Sequence, residues 1–261
     1  MPKVWLDEMT WREAKERLSQ CDAAFIPTGP IEGHGPHVPL GCDYYVASAV
    51  AKLLAEKSGG VALPPLPYNF SGGTSAFPGS VSIPIRTQVQ VLMDIARALW
   101  RQGFKRIFIV SIHGPNSMIV GSAVRTLFEE ENIPAMFLNA WAHAGEKARQ
   151  RLPDADGAHI EAMLAYGAMK LLGKGDAIPD VASLEDAPAG KLPEPLQKLQ
   201  HLGTVGFHYS DEMQHIPPRA GIDPDVGIEV LDEIAEALLP AVQHLGEYLE
   251  HLESHPRSFI E

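Results

Sequence analysis

Short apolar runs alternate with segments whose apolar residues recur at helical spacing, and that rhythm admits few folds. Residues 11–20 (WREAKERLSQ) read as an amphipathic helix, and 23–27 (AAFIP) as a short buried strand. A loop rich in Gly and Pro leads to a helix from about Asp43 to Lys57. Residues 61–66 (VALPPL) form a strand that the prolines place at an edge or end early. A helix over 87–102 precedes 106–112 (RIFIVSI), the clearest buried strand of the chain. A helix at 117–131, a strand at 134–139 (PAMFLN) and helices at 141–150 and 158–172 follow. After a polar, Pro-rich stretch at 175–205, the pattern from 226 to 252 predicts one long helix. Strands and helices in this order imply right-handed crossovers, so the expected fold is α/β: a three-layer α/β/α sandwich around a mainly parallel sheet. One domain is expected over 1–261, with 175–222 as an inserted lid or subunit contact because it has little periodicity and many prolines.

With 45% hydrophobic residues the chain can bury a substantial core. Its net charge of -12 argues against a nucleic-acid partner, which needs clustered Lys and Arg. The acidity also suits plain solubility and does not argue for a cationic substrate. Cys21 and Cys42 form no disulfide framework and suit a reducing cytosol. The opening MPKVWLDEMTW lacks the apolar stretch of a signal peptide, and no run is long enough to span a bilayer. A cytoplasmic enzyme or binding protein, without membrane contact, is expected.

The chemistry gathers at three places. Residues 28–43 read TGPIEGHGPHVPLGCD directly after the first strand, where open α/β sheets place their ligands. Glu32 and His34 are two apart, which in extended backbone puts both side chains on one face. Asp43 follows at the start of a helix, where it could equally be a simple N-cap. His113 stands just past the strongest strand, in SIHGPN, on the same rim; a satisfied core or capping histidine is the bland alternative. The third place is DADGAHIEA at 154–162, where acidic residues also favour a helix N-terminus. His159 and Glu161, two apart, do not share a helical face, so at most one points at a common site. Mixed nitrogen and oxygen donors suit Zn²⁺, Mn²⁺ or Fe²⁺ better than Ca²⁺. Two such ions about 3.5–4 Å apart can activate a water and polarise a carbonyl, and Asp43 is placed to serve both.

At these residues the chain resembles the creatininase family of amidohydrolases. GPIEGHGPHVPLGCD is similar to that family's G-S-x-E-Q-H-G-P-H-L-P-L-x-[TS]-D signature, with Cys42 in place of Thr or Ser. FPGSVSI at 77–83 resembles F-P-G-T-[IL]-S-L, SIHGPN resembles N-G-H-G-G-N, and DADGAHIEA falls at D-x-H-A-G-x-x-E-T. The similarity runs from about residue 4 to 172. It implies two divalent ions per chain, one held by Glu32, Asp43 and His113, the other by His34, Asp43 and a glutamate. The position two after the third-strand histidine is Pro115 here, which has no donor, and Glu161 is the natural substitute. Asp156 stands where the family has a histidine that shuttles the proton; it or nearby His159 would take that role. Ser111 and Ile112, in place of Asn and Gly, change the pocket floor.

The resemblance further implies cleavage of a C–N bond in a small cyclic or linear amide by a metal-bridging hydroxide, and a homo-oligomer, typically a hexamer. Relatives are implied to act on creatinine, formylamino-pyrimidines or peptide-derived cofactor precursors. The rival reading is a metal-binding protein without turnover, which kept the ligands and lost the shuttle. A purely structural α/β subunit would need the E-x-H loop to be metal-free.

Overall fold

The computed structural model describes residues 3–255. Helix α1 (Trp11–Gln20) starts at a capping box, in which the Thr10 side chain accepts from the Glu13 N–H and the Glu13 carboxylate accepts from the Thr10 N–H. The chain then runs through β1 (Ala23–Pro27), α2 (Cys42–Ser58), β2 (Val61–Ala62), α3 (Ile85–Gln102) and β3 (Arg106–Ser111). It continues with α4 (Asn116–Glu131), β4 (Met136–Asn139), α5 (Trp141–Arg151), α6 (Gly157–Leu171), α7 (Glu194–Gln200), α8 (Pro224–Leu238) and α9 (Pro240–Ser254). The four strands lie in the order β2-β1-β3-β4, and every pair is parallel. None of the described helices is long and apolar enough to cross a membrane.

The period-2 alternation of the central strands sorts their side chains between two helical layers. Phe25 and Phe108, paired in register and stacked 5.1 Å apart, face α2, α6 and α8 together with Val110 and Leu138. Ile26, Ile107 and Ile109 face the opposite way, toward α3 and α4. Both faces are covered, so β1 and residues 107–110 of β3 are apolar throughout, as a buried parallel sheet requires. Each large side chain fully buried in these cores contributes about 1.5–3 kcal/mol. In the first layer α6 and α8 meet backbone to backbone: a Cβ added to Gly227 would sit 2.2 Å from the Met163 carbonyl oxygen.

Two expected elements change. The strand at 61–66 keeps ladder geometry only at Val61 and Ala62, because Pro64 and Pro65 lack the N–H the ladder needs. The Leu66 N–H still reaches the Pro27 carbonyl at 2.9 Å, so this edge segment rejoins β1 beyond the prolines. The single helix expected over 226–252 is two helices that break at Leu239, since Pro240 cannot donate to the preceding turn. Segment 175–222 contains α7 and three-residue helical turns. Its later part reaches the carboxyl end of the sheet, where the Tyr209 N–H donates to the Gly73 carbonyl at 2.9 Å.

Candidate metal centre

The register of the two central strands sets the site. Pro27 pairs with Val110, so the loops after β1 and β3 leave the sheet side by side. The first carries Glu32 and His34, the second His113. Asp43 enters from the first turn of α2 and Glu161 from the second turn of α6. Gly41, not Asp43, is the N-cap of α2, so the capping explanation of Asp43 does not apply. Its Oδ2 lies 3.3 Å from His113 Nδ1 and 3.5 Å from His34 Nε2. Around it, His113 Nδ1 is 3.5 Å from Glu32 Oε1, and His34 Nε2 is 3.3 Å from Glu161 Oε1. All five residues expected from the sequence to act as ligands therefore converge.

The hydrogen bonds fix which ring nitrogens face inward. His34 Nδ1 donates to the Glu32 carbonyl at 3.0 Å, which leaves Nε2 for the site. His113 Nε2 donates to the Phe70 carbonyl at 2.9 Å, which leaves Nδ1. A histidine held this way by a backbone carbonyl presents a lone pair in a set direction, the usual arrangement of metal-ligating imidazoles. His34 Nε2 and Asp43 Oδ2 are buried with no hydrogen-bond partner. Leaving such atoms unsatisfied is costly, and a divalent cation between them removes the cost. The donor set thus fits metal ions: Glu32, Asp43 and His113 form one group of close ligand atoms, and His34 and Glu161 belong to another with Cys42.

The charges agree. Burial raises the Glu32 carboxyl to about 7, against the pull of His113. Burial also opposes ionisation of Asp43, but His113 and His34 outweigh it and hold this carboxyl below the usual range. Burial disfavours the imidazolium of both histidines, yet His34 is raised by Cys42 and Asp43, and His113 by Asp43 and Glu32. Carboxylates and imidazole nitrogens this close suit the centre to positive charge. Burial pushes the Cys42 thiol up to about 12.

Asp156 and His159 are placed differently. Asp156 is the N-cap of α6: Oδ1 accepts from the His159 N–H at 2.9 Å, and Oδ2 accepts from Arg219 Nε at 2.8 Å. Burial raises the Asp156 carboxyl, but the Arg219 guanidinium outweighs it and holds the group below its ordinary value. His159 Nε2 is buried without a partner, and burial lowers its imidazole. Neither residue lines the cavity of about 790 Å³ onto which Glu32, Asp43, His113 and Glu161 open.

Several residues of the site carry no signal in the sequence. The Thr74 hydroxyl donates to Glu32 Oε2 at 2.7 Å. A buried network of Asn69, Gln88 and Asn116 holds the loop after β2: Gln88 Oε1 accepts from the Phe70 N–H at 2.8 Å, helping to fix the Phe70 peptide whose carbonyl orients His113. Phe207, Tyr209 and His215, from the aperiodic segment, line the cavity together with Phe70 and Trp141. His215 lies near His34, ring centroids 5.0 Å apart, and its Nδ1 is 3.0 Å from the Gly33 carbonyl.

Three curated relatives match about half of the chain. A 3-dehydro-scyllo-inosose hydrolase of Thermotoga maritima is 29% identical over 54% of this chain and 46% of its own. The creatinine amidohydrolase of Pseudomonas putida is 32% identical over 49% and 51%, and a mycofactocin precursor peptide peptidase of Mycolicibacterium smegmatis 34% over 51% and 57%. The chain thus spans about half the length of the curated relatives it matches. Among solved structures, a creatinine amidohydrolase superposes with a TM-score of 0.76 at 22% identity, over 94% of this chain and 98% of the other. A creatininase variant of Zn-Zn type gives 0.75 at 21%, over 94% and 98%, and a manganese creatininase 0.67 at 24%, over 91% and 98%. These likenesses show the fold. The sequence model of the family described as creatinine amidohydrolase matches residues 7–164, and the chain belongs to the creatininase family.

Proposed function

We propose that this chain is a metal-dependent amidohydrolase that cleaves a C–N bond in an amide substrate, with two divalent ions held between the loops after β1 and β3. The observation that carries the reading is the Asp43 carboxylate. Its Oδ2 is buried, has no hydrogen-bond partner and stands between two imidazole nitrogens at 3.3 and 3.5 Å. Glu32, Asp43 and His113 would hold one ion, and His34, Asp43 and Glu161 the other. Bound there, such ions supply Lewis acidity, lowering the pKa of a water and polarising an amide carbonyl. Elemental analysis of the purified protein after mild dialysis tests this. Close to two ions of zinc, manganese or iron per chain are expected, and a fully folded, metal-free protein would overturn the reading. The same preparation in light scattering tests the homo-oligomer, which we also propose.

Proton handling is proposed for Asp156 or His159; neither lines the cavity, and hydrogen bonding alone favours His159. Asp156 must release Arg219 before it can accept a proton, whereas His159 Nε2 is free. Asn caps helices about as well as Asp, so Asp156→Asn leaves metal content and helix α6 intact. Removing a general base costs ~10²–10⁴ in rate. A loss of that size is expected in His159→Gln. The same loss in Asp156→Asn, with His159→Gln unaffected, would move the role to Asp156.

The cavity supports a second reading of the substrate. Its volume of about 790 Å³ suits a drug-sized molecule rather than one small ring. The relatives include a peptide peptidase as well as a creatinine amidohydrolase. A panel spanning cyclic amides, formamides and short peptides separates the two readings.

A further inference from the structure

The three histidines at the centre are held in one way. His34 and His113 each donate one ring N–H to a backbone carbonyl and turn the other nitrogen inward. His215 is also held through one ring nitrogen: the Gly33 carbonyl oxygen can only accept, so Nδ1 is the protonated nitrogen and Nε2 carries the lone pair. A ring nitrogen of His215 also lies within 4.8 Å of donor atoms of both Glu32 and His34. We propose that His215 is a further ligand of the ion held by His34, delivered by the 204–216 segment, so that filling this position and seating that segment are one event. The inference rests on the metal-dependent reading above.

The chemistry of the pocket explains why such a ligand has a place. Pro115 supplies no donor beside His113, and Glu161 approaches the His34 side alone from α6. Mixed imidazole and carboxylate donors suit a borderline ion such as Zn²⁺. The segment is also built to bring the ring in. Gly35, at φ +69°, allows the Ile216 carbonyl to come so close that a Cβ there would be 1.9 Å from its oxygen. Tyr209 stacks on the His215 ring at 5.2 Å and 20°. The segment is anchored a second time where the Tyr209 N–H meets the Gly73 carbonyl.

The test compares the metal-loaded wild type with His215→Phe, which keeps a ring against Tyr209 but has no lone pair, and with His215→Ala. Zinc affinity is read by chelator competition, the coordination sphere by the visible spectrum of the cobalt-substituted protein, and seating of the segment by protease cleavage within 204–216. In the variants the affinity for the ion on the His34 side is expected to fall by more than the ~10–100-fold typical of removing an outer partner of a ligand, with the other ion unchanged. The cobalt spectrum shifts, and metal protects 204–216 in the wild type alone. Two ions bound with wild-type affinity and spectrum in both variants would overturn the inference and leave the metal reading standing. No ion in the wild type would overturn both. Circular dichroism confirms that each variant is folded, and agreement between Phe and Ala separates ligation from packing.

Discussion

Asp43→Ala is expected to lose both metal ions and all measurable turnover while the protein stays folded. One oxygen of this residue is placed to serve both positions: Oδ2 is 3.3 Å from the imidazole of one group and 3.5 Å from that of the other. Removing it takes a charged donor from each ion at once and leaves two facing imidazoles, which repel if protonated. His113→Ala takes a donor from one ion only, so it should retain close to one ion per chain. Helix capping does not confuse the comparison, because Gly41, not Asp43, occupies the cap. Asp43→Asn is the stricter control, keeping the shape of the side chain and removing its charge. The measurement is metal content per chain beside activity. Loss of one ion in both Asp43→Ala and His113→Ala would contradict the bridging role.

The largest effect on stability is expected away from the metals, at Gly227→Val. Helices α6 and α8 approach so closely that a Cβ at Gly227 would lie 2.2 Å from the Met163 carbonyl oxygen and 3.1 Å from Gly167 Cα. Both neighbours are backbone and cannot swing aside as a side chain would. The helices must separate, opening the core around Met163, Tyr166, Val230 and Leu231. Overpacking of this kind costs about 1–3 kcal/mol. At the upper end this lowers the melting temperature by roughly 6–12 °C. Because α6 also carries Glu161, the ion on the His34 side should bind more weakly in the same variant. Thermal unfolding followed by circular dichroism reads the first effect, and a melting temperature within a degree of wild type would show that the helices part without cost.

The sheet and most of the ligands were legible because their signals are local. Strand β3 is apolar over residues 107–110, and Glu32, His34 and Asp43 lie within one short stretch of chain, so spacing alone groups them. His215 gives no such signal. Its partner Gly33 is 182 residues away, and the segment between α7 and α8 has no periodicity to place it. Thr74, Asn69 and Gln88 are single polar residues whose burial in one network depends on tertiary packing. The break at Leu239 was signalled by Pro240, but the apolar repeat of α8 continues into α9 and outweighed it. Asp156 illustrates the reverse case: position in a motif suggested chemistry, and the partner that occupies its carboxylate, Arg219, lies 63 residues further on.

The parallel pairing of β1 with β3 bears on when the proposed ions could be selected. Ala23 meets Arg106, so the strand that brings His113 to Glu32 is made long after the loop that carries Glu32, His34 and Asp43. At ordinary rates of synthesis of about 5–20 residues per second, that loop waits roughly 4–16 s for its partner strand. Until then it is an acidic, imidazole-bearing stretch of nascent chain with no cage, and any ion it meets is held by raw affinity, which among divalent ions favours copper. Only the finished sheet presents the donors in fixed positions, and only there can geometry override that order. On the metal-dependent reading proposed above, metal identity would therefore be decided after folding, by the folded cage and the ions the cell offers it.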